Sequence, residues 1–226
     1  MKPTFKKVLP CVLILAAAMG VPAEDGSLGA KQPVFLLCPH HETYSAWSIF
    51  LNVDRADPSK ILGLGVESLR GKNSRDTSYE DVLAVQQDSR FDREFLGGLN
   101  AAEFDKSEIR VSEHDALHVS LTPMENNAYR LNISLRVGQT DWFEVGGKNT
   151  SKDDIVLRYN ADSKTWTPRA NVLSDFRGNA LTQSRDALIS GLIFPVTGTG
   201  IYSVYGVLGD GEPVLLMDRT WKPDEE

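Results

Sequence analysis

"AYRLNISLRV", residues 128–137, decides the fold. Tyr129, Leu131, Ile133, Leu135 and Val137 alternate with Arg130, Asn132, Ser134 and Arg136. Successive strand side chains point to opposite faces, so this alternation predicts a strand with one apolar and one wet face. Such strands belong to antiparallel sheets; parallel ones are covered on both faces and read as continuous apolar runs.

The neighbouring text fits. Upstream, "EIRVS" and "LHVSLT" flank "EHDA" and predict a hairpin. Downstream, "DIVLRYNADSKTWTP" predicts a hairpin turning at "NADS", and "GIYSVYGVLGDGEPVLLMDRTW" one turning at "GDGE". Nearer the N-terminus, "PVFLLC" (33–38) reads as a strand buried on both faces, with "EDGSLGAKQ" (24–32) before it as a flexible leader. "WSIFLNVD" sets Trp47, Ile49, Leu51 and Val53 on one face. "ADPS" turns the chain, and "KILGLGVESL" returns with Leu62, Leu64 and Val66.

Helical text is confined to a few places. In "TSYEDVLAVQQD" (77–88), Thr77 and Glu80 have the capping-box spacing. "SRFDREFLGGL" (89–99) places Phe91 and Phe95 four apart and ends at Gly97-Gly98, a helix-stop signal. Residues 171–195 are ambiguous, with a short helix over "SRDALISGL" (184–192) as one reading. The expected class is α+β: mainly antiparallel β, hairpins in a meander sheet or sandwich, with one or two short helices around residues 77–97. Residues 24–226 form a single expected domain, and a sub-domain break would fall near 97–106.

Residues 1–23 read as an export leader. Lys2, Lys6 and Lys7 precede the apolar run "VLPCVLILAAAMG", and "VPA" supplies small residues for cleavage after Ala23. The apolar run is too short to cross a bilayer of roughly 30 Å as a helix. The expected location is the periplasm. Lysine and arginine number 24 against 31 aspartates and glutamates; three lysines leave with the leader, so 21 bases face 31 acids, a net −10. With no basic run, that balance argues against nucleic-acid partners. Of the two cysteines, only Cys38 outlasts cleavage, so no internal disulfide is expected, and its apolar neighbours predict a packed side chain.

Motifs for chemistry are weak. Cys38, His40, His41 and Glu42 crowd together, but Pro39 ends the strand and no third ligand follows. His40 and His41 remain weak metal candidates. His114 and His118 have the zinc-protease spacing, yet Asp115 stands where glutamate is required and the flanks favour strand over helix. No Gly-x-Ser-x-Gly elbow or phosphate-cradling glycine loop occurs. No enzyme, metal or cofactor is expected. Trp47, Trp142, Trp166 and Trp221 could stack sugars, but core packing is the commoner role for such residues in strands.

"VGQTDWFEVGGKNTSKDD" (137–154) is the best partner-binding candidate. Trp142 and Phe143 lie between Asp141 and Glu144, with Asp153 and Asp154 following. Aromatics anchor and charge steers, so Asp141, Trp142, Phe143, Asp153 and Asp154 form the expected contact set.

With its leader "MKPTFKKVLPCVLILAAAMGVPA" and acidic, β-rich body, the chain resembles the periplasmic immunity proteins that guard bacteria against their own type VI secretion effectors, in particular those neutralising phospholipase D effectors. The resemblance implies a stoichiometric complex that blocks the toxin's active site. Such a site is rich in histidine and lysine, which suits an acidic plug. The alternatives are a ligand- or carbohydrate-binding β domain and, behind it, a periplasmic hydrolase with a scattered site.

Overall fold

A computed structural model describes residues 29–39, 45–71, 91–112, 116–136, 143–145, 155–170, 187–194, 196–197, 201–208 and 214–220. The strands are β1 (Gly29–Pro39), β2 (Ser45–Asp54), β3 (Ile61–Gly71), β4 (Phe91–Asn100), β5 (Ile109–Val111), β6 (Ala116–Pro123), β7 (Tyr129–Arg136), β8 (Phe143–Val145), β9 (Ile155–Asn160), β10 (Thr165–Ala170), β11 (Ala187–Phe194), β12 (Val196–Thr197), β13 (Ile201–Leu208) and β14 (Val214–Thr220).

The main path runs β4-β3-β2-β1-β11-β10-β9-β7-β6-β5. β11 also pairs β13, which carries β12 and β14; β8 pairs β7. Pairing is antiparallel except between β1 and β11, where Leu36 lies opposite Gly191 in parallel register. A Cβ on Gly191 would stand 2.6 Å from the Leu36 carbonyl oxygen, so the two backbones approach too closely for any other residue.

The four strands β1–β4 and the five strands β5, β6, β7, β9 and β10 pack over one core. Phe35, Leu37, Ile49, Leu51, Leu64 and Val66 meet Leu117, Leu121, Leu131, Leu135, Leu157 and Trp166. An aromatic chain ties the layers: Trp166 packs edge-on to Tyr129 at 5.6 Å, and Tyr129 edge-on to Phe104 at 6.0 Å. At one side the ends close up, a Cβ at Gly97 falling 2.9 Å from Ile109 Cγ2.

The opening stretch behaves as expected within the described residues. Leu131, Ile133 and Leu135 are buried, and the alternating polar residues are not. On the wet face Asn132 Nδ2 donates to Ser120 Oγ (3.1 Å) and Thr122 Oγ1 (3.0 Å) across β6. All the expected hairpins pair: β2–β3, β5–β6, β9–β10 and β13–β14. Between β6 and β7, Ala128 N donates to Glu125 O at 3.4 Å, with positive φ at Asn126 (59°) and Asn127 (53°). This is the sign pattern of a type I′ turn, whose twist matches that of the strands it joins.

Four expectations are corrected. Residues 91–97 are not helical: Phe91–Asn100 is strand β4, paired with β3 along its length. Ala187–Phe194 is strand β11, not a helix. Gly29–Gln32, expected in the leader, belongs to β1. Leu62 does not share a face with Leu64: Asn52 pairs Gly63 and Val53 pairs Ile61, so Leu62 is the extra residue of a bulge and Ile61 is buried instead. Among the described residues there is no α-helix, and the mainly antiparallel β part of the expected class holds. The helix expected over 77–88 lies outside the described residues.

Candidate functional site

The expected partner loop is largely beyond reach. Asp141, Trp142, Asp153 and Asp154 lie outside the described residues. Phe143 begins β8, where its backbone pairs with Leu135. His40, His41, His114, Trp221 and the leader (1–23) also lie outside them. His118 sits on strand β6 opposite Arg110, so the His-x-x-x-His spacing does not fall on a helix face. Its Nδ1 is 3.9 Å from Glu108 Oε1, which also accepts from Arg110 Nε at 2.7 Å. Trp47 and Trp166 are buried in the core and cannot form a sugar platform. Cys38 is in β1, as expected of its backbone.

A different set of residues is brought together on the face of β1–β4 turned away from the shared core. Ser48, Phe50 and Asn52 of β2 stand across from Glu67, Gly65 and Gly63 of β3. Gly65 in turn faces Gly98 of β4, and Glu67 faces Phe95.

Phe50 covers Gly65. A Cβ there would stand 2.3 Å from the ring, so the glycine is a floor on which the ring lies. Such aromatic cover of strand glycines restores contact that the missing side chain forfeits. Phe95 covers Gly98 in the same manner, and the two rings lie 6.4 Å apart, tilted by 53°. Lys31 Nζ sits 4.1 Å from the Phe50 ring centre, a cation over the negative face.

Glu67 organises the charges. It is 3% exposed, and a carboxylate at such depth is costly unless paired. One oxygen binds Lys31 Nζ, and the other accepts from Arg93 Nη1 at 2.9 Å. Lys31 comes from β1 and Arg93 from β4, so one residue on β3 clamps strands on both flanks. Beside it, Ser48 Oγ is buried and makes no hydrogen bond among the described residues.

Toward the end of the face near Gly29, a groove of about 370 Å³ opens, lined by Asn52, Leu62, Gly63, Phe95, Gly98 and Asn100 among others. Its floor is glycine backbone, its wall is an aromatic ring, and two amides face it. That lining suits a flat or apolar group with hydrogen-bonding edges. Phe95 is 66% exposed, far more than is usual for a large apolar residue held in a sheet.

Lys31, Phe50, Glu67 and Arg93 were not singled out from the sequence, and Phe95 only as part of an expected helix. One signal was present: Gly63 and Gly65 recur with the strand period, and paired Gly97-Gly98 follows. Glycine inside a strand marks a close approach by a ring, a backbone or a ligand. Among the described residues, no group of three or more histidine, cysteine, aspartate or glutamate side chains is placed to hold a metal ion. No protein-family model, no curated protein and no solved structure matches the chain.

Proposed function

We propose that the chain is an exported protein-binding module, an immunity or inhibitor protein that neutralises a toxic phospholipase effector in the periplasm by occupying its active site. The observation that carries this reading is Phe95, an exposed aromatic fixed against Phe50 and flanked by exposed Glu94, in a chain where 31 acids outnumber 24 bases. An anchored ring beside an exposed acid, on a chain of acidic balance, is the chemistry of a surface that meets a basic protein cleft. The leader-like text of residues 1–23 and the resemblance to periplasmic immunity proteins support the same reading. The segment bearing Asp141, Trp142, Phe143, Asp153 and Asp154 is a second proposed contact.

The test is capture from a periplasmic extract with residues 24–226 as bait, followed by titration of the captured enzyme. The expected result is a phospholipase whose activity on phosphatidylcholine vesicles falls to zero at one equivalent. A captured phospholipase that keeps its activity at saturation, or the capture of none, overturns the reading.

The groove favours a second reading, a domain that binds a small ligand or sugar. Asn52 and Asn100 supply amides and Phe95 a stacking face. Saturation-transfer NMR with simple hexoses and N-acetylhexosamines separates the two: signal transfer that vanishes in Phe95→Ala supports the sugar site.

A further inference from the structure

We propose that the outer edge of β4 over Asp92–Phe95, with the groove beside Phe95, docks an extended segment of a protein partner by strand addition, and that this segment alternates basic and apolar side chains. The inference rests on the protein-binding reading and specifies where and how the partner is held.

β4 ends the main path of the sheet, and among the described residues its only hydrogen-bonded neighbour is β3. Its second half is covered, because Gly97 meets Ile109 of β5 and Leu96 and Leu99 pack on the core. Among the described residues, nothing covers its first half. Asp92, Arg93, Glu94 and Phe95 are exposed one after another, whereas a strand with one covered face shows alternating exposure. The register explains the change: Val66 pairs Gly97 and Glu67 pairs Phe95, which leaves Leu96 as a bulge. Bulges bend a strand and re-aim its side chains. Here the bend separates a half whose leucines pack on the core from an open half and leaves Phe95 at the boundary, over the groove.

An open edge offers backbone donors and acceptors to an added strand, and pockets for alternate side chains set its specificity. The groove of about 370 Å³ takes one apolar side chain against Phe95 and Gly98. Charge sets the rest. Glu67 already engages Arg93. Glu94 makes no ion pair or hydrogen bond with any described residue, and exposed Glu103 and Asp105 follow just after the strand. The edge therefore favours a basic partner segment. Charged side chains on an edge normally keep other strands away. With Arg93 engaged, Glu94 selects instead.

The probe is a six-residue peptide alternating lysine with valine and phenylalanine, its glutamate counterpart being the control. Hydrogen exchange is followed on the exported chain. The lysine peptide is expected to protect residues 91–96 while leaving the 124–128 turn unchanged, and the glutamate peptide to protect neither. Phe95→Ala is expected to weaken binding by about tenfold or more, and Glu94→Lys to reverse the preference between peptides. Both positions are exposed, and unchanged exchange in the β6–β7 hairpin verifies that the variants fold. Equal protection by both peptides, protection only elsewhere, no protection at about 1 mM peptide, or concentration-dependent protection of 91–96 without peptide (a second copy on the edge) each overturns the proposal. A protein that docks the lysine peptide but captures no phospholipase retains this surface and loses the immunity reading.

Discussion

Gln32 grips Trp166 by its backbone. Gln32 Nε2 donates to the Trp166 carbonyl at 2.9 Å, and Trp166 N donates to Gln32 Oε1 at 3.2 Å. The reason lies in the register. Among the described residues, β11 pairs with β1 only over Leu36–Pro39 and with β10 only over Arg169–Ala170. Below that wedge no described strand lies between β1 and β10, and a side-chain amide takes the place of a backbone one. Gln32→Leu would leave both Trp166 groups buried without partners. Each such group costs about 1–3 kcal/mol, so a loss of about 3 kcal/mol in urea unfolding is expected. A loss under about 0.5 kcal/mol for leucine would mean that water replaces the amide.

Glu67 joins Lys31 and Arg93, whose side chains keep 34% and 31% of their exposure. Breaking a fully buried pair costs about 3–5 kcal/mol, but these cations can re-solvate. Glu67→Gln is therefore expected to lose about 1–2 kcal/mol, measured by denaturant unfolding. In a double-mutant cycle, Arg93→Met should cost less in the Glu67→Gln background than in wild type. Additivity would mean that the 2.9 Å contact contributes no net stability.

Gly65 and Phe50 form a lock that any side chain at position 65 would break. With the added Cβ at 2.3 Å from the ring, Gly65→Ala must displace Phe50 or bend β3. Overpacking of this kind costs about 1–3 kcal/mol. Phe50→Leu should recover part of the loss in the Gly65→Ala background, a coupling of about 1 kcal/mol between touching residues. Thermal unfolding of the four proteins measures it. An undiminished cost in the Phe50→Leu background would place the clash in the backbone rather than the ring.

These relationships mark where sequence patterning stops being informative. β7 was legible because one face is wet, and alternation then appears in the residue types themselves. β11, "ALISGLIF", is an apolar run without alternation, and periodicity cannot separate such a run from a buried helix segment. β4 misled through Phe91 and Phe95 at helical spacing and through Gly97-Gly98, which reads as a cap. In the fold, Gly98 lies under Phe95, and Gly97 meets Ile109. The candidate face was hidden because Glu67 looks like any surface acid until strands from both sides deliver Lys31 and Arg93. Nothing local announces a pairing such as Leu36 with Gly191, which are distant along the chain.

Asp54 shapes the β2–β3 turn, and its titration reports on that turn. Its Oδ1 accepts from Ala56 N at 2.8 Å and Asp57 N at 3.2 Å. Bonds to the ionised form hold its pKa below the ordinary 3.8, Ala56 contributing most, then Asp57, with Lys60 adding a smaller pull in the same direction. A carboxylate whose folded pKa is depressed stabilises the protein above its unfolded value, and loses that stabilisation as pH falls through the folded one. The contribution is therefore whole at neutral pH and disappears in the acid range below 3.8. Asp54→Asn keeps an acceptor oxygen and removes the titration, so its stability difference from wild type should narrow only in that acid range. Carbon-detected NMR of the Asp54 carboxyl gives the direct measurement, with a midpoint below 3.8 expected. A midpoint at or above 3.8 would mean that the two amides do not bond to the carboxylate in solution. The turn also matters beyond itself, because the Pro58 carbonyl within it accepts the indole N–H of Trp166 at 3.0 Å. Protonating Asp54 should thus broaden or shift the Trp166 indole resonance over the same pH range, linking an exposed carboxylate to the centre of the core.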